Sequence, residues 1–589
     1  MPLATAPRSL RNAIPVRTHA GLLAAVVAST AVLSFPPLSA QTSPADAVKR
    51  VIVQFRNADP LEHEHVLARH GIRSRRELGI IHSAAMELSA REVESLENDP
   101  GVAAILPDQQ IHATASSFTT PVDYGWMTVL DVANNSTPFP YDGQGIGVAV
   151  IDSGVNPVAD LNDHYGNSRI VHSESFVEGD PSTADTYGHG TYVAGLIAGN
   201  GSQSSGNAYW YTVRGVAPAA KIVNLRVLDS NGSGNDSDVI AAIQRALQLR
   251  WLYNIRIINL SLGRNITTSY VNDPLCQAVQ QAWNAGVVVV VAAGNGGRDN
   301  SHNTNGYGTI TAPGNSPSVI TVGAMNTVGT LDRADDKITS YSSKGPTLID
   351  HVVKPDVVAP GNLVFSLRDS GSSLDTTYSQ NRVPVSVYGV NSAASSTPNY
   401  FVLSGTSVAT PMVSGAAALL LDQRPWLMPD QIKALLMKTA SKNFPSSSVA
   451  VDPVTGIQYT SQYDVFTVGA GYLDAGAAIN ASDPPPFKSA VSPLSTYNSG
   501  TNTVSMVNPS SVIWGSSVIW GSSVIWGSSV IWGSNAFVSG SSVIWGSGAV
   551  WGSSTTEGFS VIWGSSVIWG SSNASPDALD ANAVSLSDK

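Results

Sequence analysis

The sequence has very little cysteine and little charge. Cys276 is the only cysteine in 589 residues, so no internal disulfide can form and the fold must be held by burial alone. A lone cysteine in a helical segment is most often a small buried hydrophobe, and we assign it no function. Only 13% of the residues are charged and the net charge is -11. Because no basic field is present to neutralise phosphates, we expect no nucleic-acid partner.

Long apolar runs are also scarce. The stretch AGLLAAVVASTAVLSF at 20–35 follows three arginines and precedes small residues that end at Ala40. It is shorter than the ~20 residues that span a bilayer. We therefore predict a cleaved secretory signal peptide over residues 1–40 rather than a membrane anchor, and a secreted or cell-surface protein.

Composition divides the rest of the chain, which is too long for a single hydrophobic core. We predict a small α+β domain, an α/β domain, a linker, a repeat tail and a C-terminal tail. Their respective ranges are 41–116, 117–482, 483–510, 511–572 and 573–589. The linker prediction rests on the Pro-Pro-Pro and Ser-rich composition that begins after Asp483.

The first domain shows apolar patterns typical of an α+β unit. Strands are predicted at 48–55, 83–90 and 101–107, and helices at 62–71 and 91–100.

The second domain alternates apolar runs with amphipathic helices. The runs at 146–154, 221–228, 255–263, 287–295 and 318–324 predict strands that are covered on both faces. Helices are predicted at 237–251 and 429–440, and the first of these places its apolar residues on one face: Val239, Ile240, Ile243, Leu247 and Trp251. This alternation predicts a mostly parallel sheet flanked by helices, with ligands bound at the carboxyl ends of its strands.

Three short motifs carry residues of acyl-transfer chemistry. Asp152 ends an apolar strand in VIDSG, His189 lies between two glycines in YGHGTYVAGLIAG, and Ser407 lies in FVLSGTSVATPMVSG before an apolar helix. A serine hydroxyl needs a base, and the base needs an orienting group, before it becomes a nucleophile. Each residue has a structural alternative, namely a turn carboxylate, a packed histidine and a helix N-cap.

Taken together, VIDSG, GHGTYVAG and SGTSVATP resemble the three signatures of the subtilisin-like serine peptidases, in the same order, and the resemblance covers about 120–480. It implies that His189 takes the proton of Ser407 while Asp152 orients the imidazole. It also implies that Asn295, in AAGN after a run of valines, supplies an oxyanion donor. An Asn-Gly turn is the alternative for Asn295.

The resemblance further implies substrate-binding segments. Ser261-Leu262-Gly263 and Ala292-Ala293-Gly294 are expected to form the walls of the pocket for the residue before the scissile bond. Gly232-Ser233-Gly234 is expected to pair with extended substrate through its backbone. Ordinary turn chemistry is the alternative for that last segment.

The first domain resembles the inhibitory propeptide of the same family. This implies that the chain is made as a precursor, that its own propeptide is a partner, and that the propeptide is cut autocatalytically between about Ile111 and Ser117. No cofactor is expected to be required. Calcium is common in the family, but only Asp160 in ADLND suggests a ligand, and we assign no metal site.

The tail carries eight of the 13 tryptophans, within repeats of SVIWGS. A six-residue period is even, so a strand would keep each residue on the same face from copy to copy. Stacked short strands would bury the tryptophans, and the alternative is an exposed low-complexity tail. We expect the tail to self-associate or bind a surface. The leading interpretation is a secreted serine endopeptidase acting on polypeptides; the rival is a surface protein whose α/β domain is an inactive scaffold.

Overall fold

The computed structural model of the protein describes residues 48–74, 76–113, 125–130, 140–301, 304–390, 397–452, 455–482, 489–498 and 503–507. Its strands are β1 (Val48–Phe55), β2 (Arg76–Leu78), β3 (Ser83–Ser89), β4 (Val102–Pro107), β5 (Gln110–Ala113), β6 (Gly147–Asp152), β7 (Ile170–Ser175), β8 (Lys221–Arg226), β9 (Ser233–Asn235), β10 (Ile255–Leu260), β11 (Leu262–Gly263), β12 (Val288–Ala292), β13 (Ile320–Asn326), β14 (Lys337–Ile338), β15 (Val357–Pro360), β16 (Val364–Leu367), β17 (Tyr400–Leu403), β18 (Ser447–Val451), β19 (Gln458–Gln462), β20 (Leu494–Asn498) and β21 (Thr503–Val507). Its helices are α1 (Pro60–Arg69), α2 (Ala90–Glu97), α3 (Gly125–Val129), α4 (His189–Ala198), α5 (Asp236–Tyr253), α6 (Pro274–Asn284), α7 (Ser373–Thr377), α8 (Thr406–Gln423), α9 (Pro429–Thr439), α10 (Val465–Val468) and α11 (Ala475–Asn480). The predicted signal peptide, repeat tail and C-terminal tail lie outside the described residues.

The central sheet joins the apolar strands that the sequence predicted. Its order in the described part of the chain is β14-β13-β12-β10-β6-β8-β7, with β15 also paired to β13. All of these pairings are parallel except that of β13 with β14. Every residue of β6 and β12 is buried, as expected for strands covered on both faces. The predicted fold class, a mostly parallel sheet flanked by helices, is confirmed.

Two details differ from the sequence predictions. The strand predicted over 255–263 breaks at Ser261, because the residues that follow form β11 and leave the central sheet to pair with β5. On α5, Val239, Ile240 and Ile243 are buried as predicted, but Trp251 is 83% exposed. The Arg250 guanidinium lies 4.9 Å from its ring centroid, so Trp251 belongs to the surface at the end of the helix.

The N-terminal unit is a four-stranded antiparallel sheet with two helices. Its strand order is β2-β3-β1-β4. Because successive strand residues point to opposite faces, alternate residues of β1 belong to different cores. Val51, Val53 and Phe55 join a small core with residues of α1 and α2, whereas Ile52 joins the large core that includes the central sheet. One face of the unit is thus packed against the rest of the protein.

The predicted linker over 483–510 is wrong for residues 489–498, which pack on the body of the protein. Ser492 is 2% exposed, and its hydroxyl donates to Asp356 at 2.6 Å and accepts from the Lys433 ammonium at 2.9 Å. The Val353 N–H donates to the Pro493 carbonyl at 2.9 Å. The composition is typical of a linker, but the segment completes a buried ionic cluster on distant parts of the chain.

Among the described residues, no helix combines the length and the apolar character needed to cross a bilayer.

Replacing Ser492 should test how far this segment supports the fold. We expect Ser492→Ala to lower the free energy of unfolding by about 1.5–3 kcal/mol, because it removes a hydrogen-bond partner from two buried ions. Truncation after residue 482 should be more destabilising, and truncation after residue 507 should have little effect. Urea unfolding measures all three.

The matched control is Ser495→Ala, in the same segment. Ser495 is 1% exposed, and its hydroxyl donates to the neutral carbonyl of His351 at 3.0 Å. Its loss should cost about 1 kcal/mol or less. Equal effects of the two substitutions would contradict the importance of the ionic cluster.

Candidate active site

Asp152 is the last residue of β6, at the carboxyl end of a central strand of the sheet. It is completely buried, and its Oδ1 accepts a hydrogen bond from the Ser153 N–H at 2.8 Å. The apolar residues of β6 fix the backbone up to this position, so the sheet itself determines where the carboxylate lies.

His189 is the first residue of α4 and is also completely buried. The glycines on either side of it allow the helix to begin this close to β6. Gly188 has a φ of +101°, a conformation that side chains other than glycine rarely adopt. A Cβ on Gly190 would lie 2.1 Å from the carbonyl oxygen of Gly154. A side chain at position 190 would therefore push α4 away from the end of β6 and the residues that follow it, and one at position 188 would meet Ser372 and strain the turn into α4.

The imidazole joins the carboxylate to the hydroxyl of Ser407. His189 Nδ1 lies 2.8 Å from Asp152 Oδ1, and Nε2 lies 3.1 Å from Ser407 Oγ. Since the carboxylate can only accept, Nδ1 carries the proton and Nε2 accepts from the serine hydroxyl. The three residues that the sequence singled out therefore meet in one hydrogen-bonded series.

Ser407 is the second residue of α8. Its backbone carbonyl accepts a hydrogen bond from the Ser261 hydroxyl at 2.8 Å. Ser261 is in turn 3.0 Å from the side-chain amide of Asn259, which accepts from Ser414 at 2.8 Å. The start of α8 is thus attached to the end of β10 through side chains.

The other hydroxyls of the stretch 404–410 have separate partners. Ser404 accepts from the N–H of Leu363 at 2.9 Å, and Thr410 donates to the Thr406 carbonyl at 2.7 Å. The N-cap of α8 is Gly405, which has no side chain. Helix capping therefore explains none of these hydroxyls.

Thr406 fixes the side chain of Asn295. The Oδ1 of Asn295 accepts from the Thr406 N–H at 3.0 Å and lies 3.1 Å from the Thr406 hydroxyl. Because Thr406 holds the oxygen of this amide, the NH₂ is the group that can donate. Thr406 immediately precedes Ser407, so the amide of Asn295 lies near the start of α8.

Asp185 is part of this site, although the sequence analysis did not identify it. Its carboxylate is buried and accepts from the Gly188 N–H at 2.6 Å, from the Thr191 N–H at 2.7 Å and from the Ser153 hydroxyl at 2.8 Å. It therefore holds the turn into α4 on one side of His189. The only signal in the sequence is its place four residues before the histidine in DTYGH.

Two carboxylates act on the pKa of His189. Burial lowers the pKa, but Asp152 and Asp185 favour the imidazolium, and the net shift is above the ordinary value. For Asp185 itself, burial raises the pKa, while hydrogen bonds from Thr191, Gly188 and Ser153 oppose that rise. The site is therefore arranged to stabilise a positive charge on the imidazole.

The segments predicted to bind substrate flank a strand of the protein's own N-terminal unit. Strand β5 lies between β9 and β11 in a three-stranded antiparallel sheet. His112 is opposite both Ser233 and Gly263, and Ala113 is opposite Leu262. The Ala113 N–H donates to the Gly232 carbonyl at 2.9 Å. Of the segment 232–234, Gly234 also pairs with β5, opposite Ile111.

The predicted pocket walls are all buried: Ser261, Leu262, Gly263, Ala292, Ala293 and Gly294. Ser261 does not act simply as a wall, because its hydroxyl is bonded to the Ser407 carbonyl. The Gly294 N–H donates to the Thr406 hydroxyl at 3.1 Å. These two contacts show that the walls also position the start of α8.

Asp160, the one residue that suggested a calcium ligand, is buried. It accepts from the Gln203 N–H at 2.7 Å and from the Ser202 and Tyr400 hydroxyls, each at 2.8 Å. These donors occupy its carboxylate oxygens. Over the ranges that the structure describes, no group of three or more His, Cys, Asp or Glu side chains is placed to hold a metal ion.

The chain is similar to known proteins over most of its described length. Residues 143–463 match the model of the subtilase family of peptidases. The chain is 38% identical to serine protease AprX of Bacillus subtilis over 309 residues, which cover 51% of this chain and 62% of AprX. It is 32% identical to subtilisin E of the same species over 415 residues, which cover 69% of this chain and 90% of subtilisin E.

A solved structure shows the same fold. The protein is similar to fervidolysin from Fervidobacterium pennivorans, a keratinolytic enzyme related to subtilisin, with a TM-score of 0.53 and 22% identity. The match covers 75% of this chain and 62% of fervidolysin.

The effect of Asp185 on the imidazole can be measured directly. Because an adjacent anion favours the imidazolium, Asp185→Asn should lower the pKa of His189, and the ring should stay neutral to a lower pH. NMR titration of the His189 ring measures this change. Asp163→Asn, in an exposed loop, is the control and should leave the titration unchanged. An unchanged pKa in Asp185→Asn would mean that Asp185 acts only on the backbone turn.

Proposed function

Because the chain belongs to the subtilase family of serine endopeptidases, we propose that it hydrolyses peptide bonds of polypeptide substrates, with Ser407 as nucleophile, His189 as general base and Asp152 as orienting group. The observation that carries the proposal is the hydrogen-bonded series of these side chains, with separations of 2.8 and 3.1 Å. Three residue types in this order and at these distances match the needs of nucleophilic acyl transfer.

In the proposed reaction, Ser407 Oγ attacks the scissile carbonyl carbon and its proton passes to His189 Nε2. Asp152 accepts a hydrogen bond from Nδ1–H, so that this proton stays on the ring, and its negative charge stabilises the imidazolium. The tetrahedral intermediate then loses the amine, which takes the proton from Nε2, and leaves an acyl ester on Ser407. Water gives a proton to the same Nε2 and attacks this ester, and the acid is released as Ser407 Oγ takes the proton back from Nε2. The raised pKa of His189 stabilises the imidazolium that forms when the neutral ring takes the proton in each attack.

Two donors are proposed for the oxyanion. One is the side-chain amide of Asn295, whose orientation is supported by the hydrogen bonds from Thr406 to its oxygen. The other is the backbone N–H of Ser407, in the first turn of α8, where the positive end of the helix dipole favours a developing negative charge. Donors that are already in place need no reorganisation when the charge develops.

We also propose that the protein is made as an inhibited precursor. Strand β5 occupies the position between β9 and β11 that an extended substrate would take. It is paired as far as Ala113, opposite Leu262, and the residue before Leu262 contacts the backbone of Ser407. The proposed autocatalytic cut therefore falls after Ala113 and no later than Ser117.

Two further proposals concern the ends of the chain. Export is supported by the predicted signal peptide and by the match with subtilisin E. Self-association or surface binding by the tail rests on its uncharged Trp repeats alone.

Removing the nucleophile tests the proposed function. Ser407→Ala should abolish hydrolysis of casein and labelling by a fluorophosphonate, because no oxygen remains to be acylated. The variant should also accumulate uncut at 114–117, as shown by N-terminal sequencing. Activity in Ser407→Ala would overturn the assignment, and normal processing would show that another protease makes the cut.

Ser404→Ala is the matched control. It deletes the same atom three residues away in the same buried stretch, where the hydroxyl bonds the Leu363 N–H and not His189. It should retain fluorophosphonate labelling and processing.

Asn295 should act on the transition state. We expect Asn295→Leu to lower kcat by about 10²- to 10³-fold with little change in KM, the usual result of removing one oxyanion donor. Steady-state kinetics on a peptide substrate measures both constants. A change confined to KM would place Asn295 outside the oxyanion site.

A further inference from the structure

The two strands that flank β5 are short and do not pair with each other. The sheet order is β11-β5-β9, so β9 and β11 make their hydrogen bonds to the strand between them. β9 has three residues and β11 has two. When a cut segment leaves and a substrate enters, this sheet cannot itself hold the two strands apart at the right distance.

The residue that directly follows each strand is part of one buried ion cluster. Asp236 follows β9, and Arg264 follows β11. The guanidinium of Arg264 donates through Nε to both oxygens of Asp236, at 2.9 and 3.0 Å, and through Nη2 to Oδ2 at 2.7 Å. Arg264 is 6% exposed and Asp236 is 0% exposed. A two-pronged contact of this kind fixes both direction and distance.

A third residue anchors the cluster to the body of the protein. Asp273 is the N-cap of α6, and its Oδ1 accepts from the N–H groups of Leu275 and Cys276. Its Oδ2 accepts from Arg264 Nη2 at 2.8 Å. Asp236 is the first residue of α5, and α5 packs against α6. The guanidinium thus ties both flanking strands to the starts of two packed helices.

The cluster lies at the end of the cleft away from the nucleophile. Along β11, the chain runs from Ser261, which contacts the Ser407 carbonyl, to Arg264. The Asp236 N–H donates to the carbonyl of Gln109, the residue just before β5, at 2.9 Å. A peptide bound like β5 therefore has its upstream end next to the cluster and its downstream end next to Ser407.

We propose that Arg264, with Asp236 and Asp273, holds β9 and β11 at the separation that an extended peptide requires, and so makes binding depend on residues well upstream of the scissile bond. These are positioning residues, since none of them reaches the reacting atoms. The inference rests on the proposed peptidase function and adds the part of the cleft that selects long, extended substrates.

Substrate length separates this role from a merely structural one. We expect Arg264→Lys, which keeps the charge but loses the planar two-pronged contact, to raise KM for a peptide with five residues upstream of the scissile bond. The increase should be roughly tenfold, as when one or two backbone hydrogen bonds to the peptide weaken. Hydrolysis of an N-acetyl amino-acid ester, which cannot reach the cluster, should keep its kcat and KM.

Asp236→Asn is the second variant and should show the same dependence on length if Arg264→Lys fails to fold. The control is Arg333→Lys. It alters an ion pair of 2.6 Å between Arg333 and Asp474, and Asp474 is the N-cap of α11. This control should leave kcat and KM unchanged for both the long peptide and the ester. All rates are normalised to the fraction of the full-length preparation that a fluorophosphonate labels.

The outcomes are distinct. The positioning role would be overturned if a folded variant raised KM equally for the long peptide and for the short ester. It would also be overturned if KM changed for neither. Both results would leave the peptidase function in place. An unsubstituted protein that neither takes the label nor cleaves the ester would overturn the proposed function, and the positioning role with it.

Discussion

The two hydrogen bonds of one buried imidazole determine how precisely the surrounding elements must be positioned. His189 must meet a carboxylate on one side and a hydroxyl on the other, and all three side chains are fully buried. They come from the end of β6, the start of α4 and the start of α8, which are far apart in the sequence. A displacement of about 1 Å breaks a hydrogen bond, so each element needs rigid support. The all-buried β6 and the long buried face of α8 provide it.

The sequence predicts much of this arrangement, because its signals are local. Continuous apolar runs identify most strands of the parallel sheet, and the predicted β1 agrees in both bounds with the structure. The motifs around Asp152, His189 and Ser407 lie at the ends of such elements, and the carboxyl ends of parallel strands meet at one edge of a sheet. Motif and topology therefore identify the same place.

Three features were missed because composition and periodicity do not reveal which groups a residue contacts in the fold. Nothing in the composition of residues 489–498 reveals that Lys433 and Asp356 are buried and that Ser492 bonds both. Asp185 occurs in a polar loop whose apolar residues show no periodic spacing. Its role is visible only in the structure, where backbone N–H groups of the turn into α4 donate to its carboxylate. Trp251 follows the helical period of α5 but lies in its last turn, where the helix is exposed to solvent.

Buried ions have a particular use in a chain whose single cysteine is free and buried. A buried ion pair adds little to stability compared with apolar packing, but removing one partner leaves a charge without compensation. Such a cluster is therefore tolerated only when all its members are in place. Two such clusters lie in the described part of the chain beside short elements: Arg264 with its two aspartates behind strands of two and three residues, and Lys433 with Asp356 beneath the short segment 489–498. In a chain without disulfides, the requirement to pair these charges favours one position of each short segment. Apolar packing alone would define those positions less specifically.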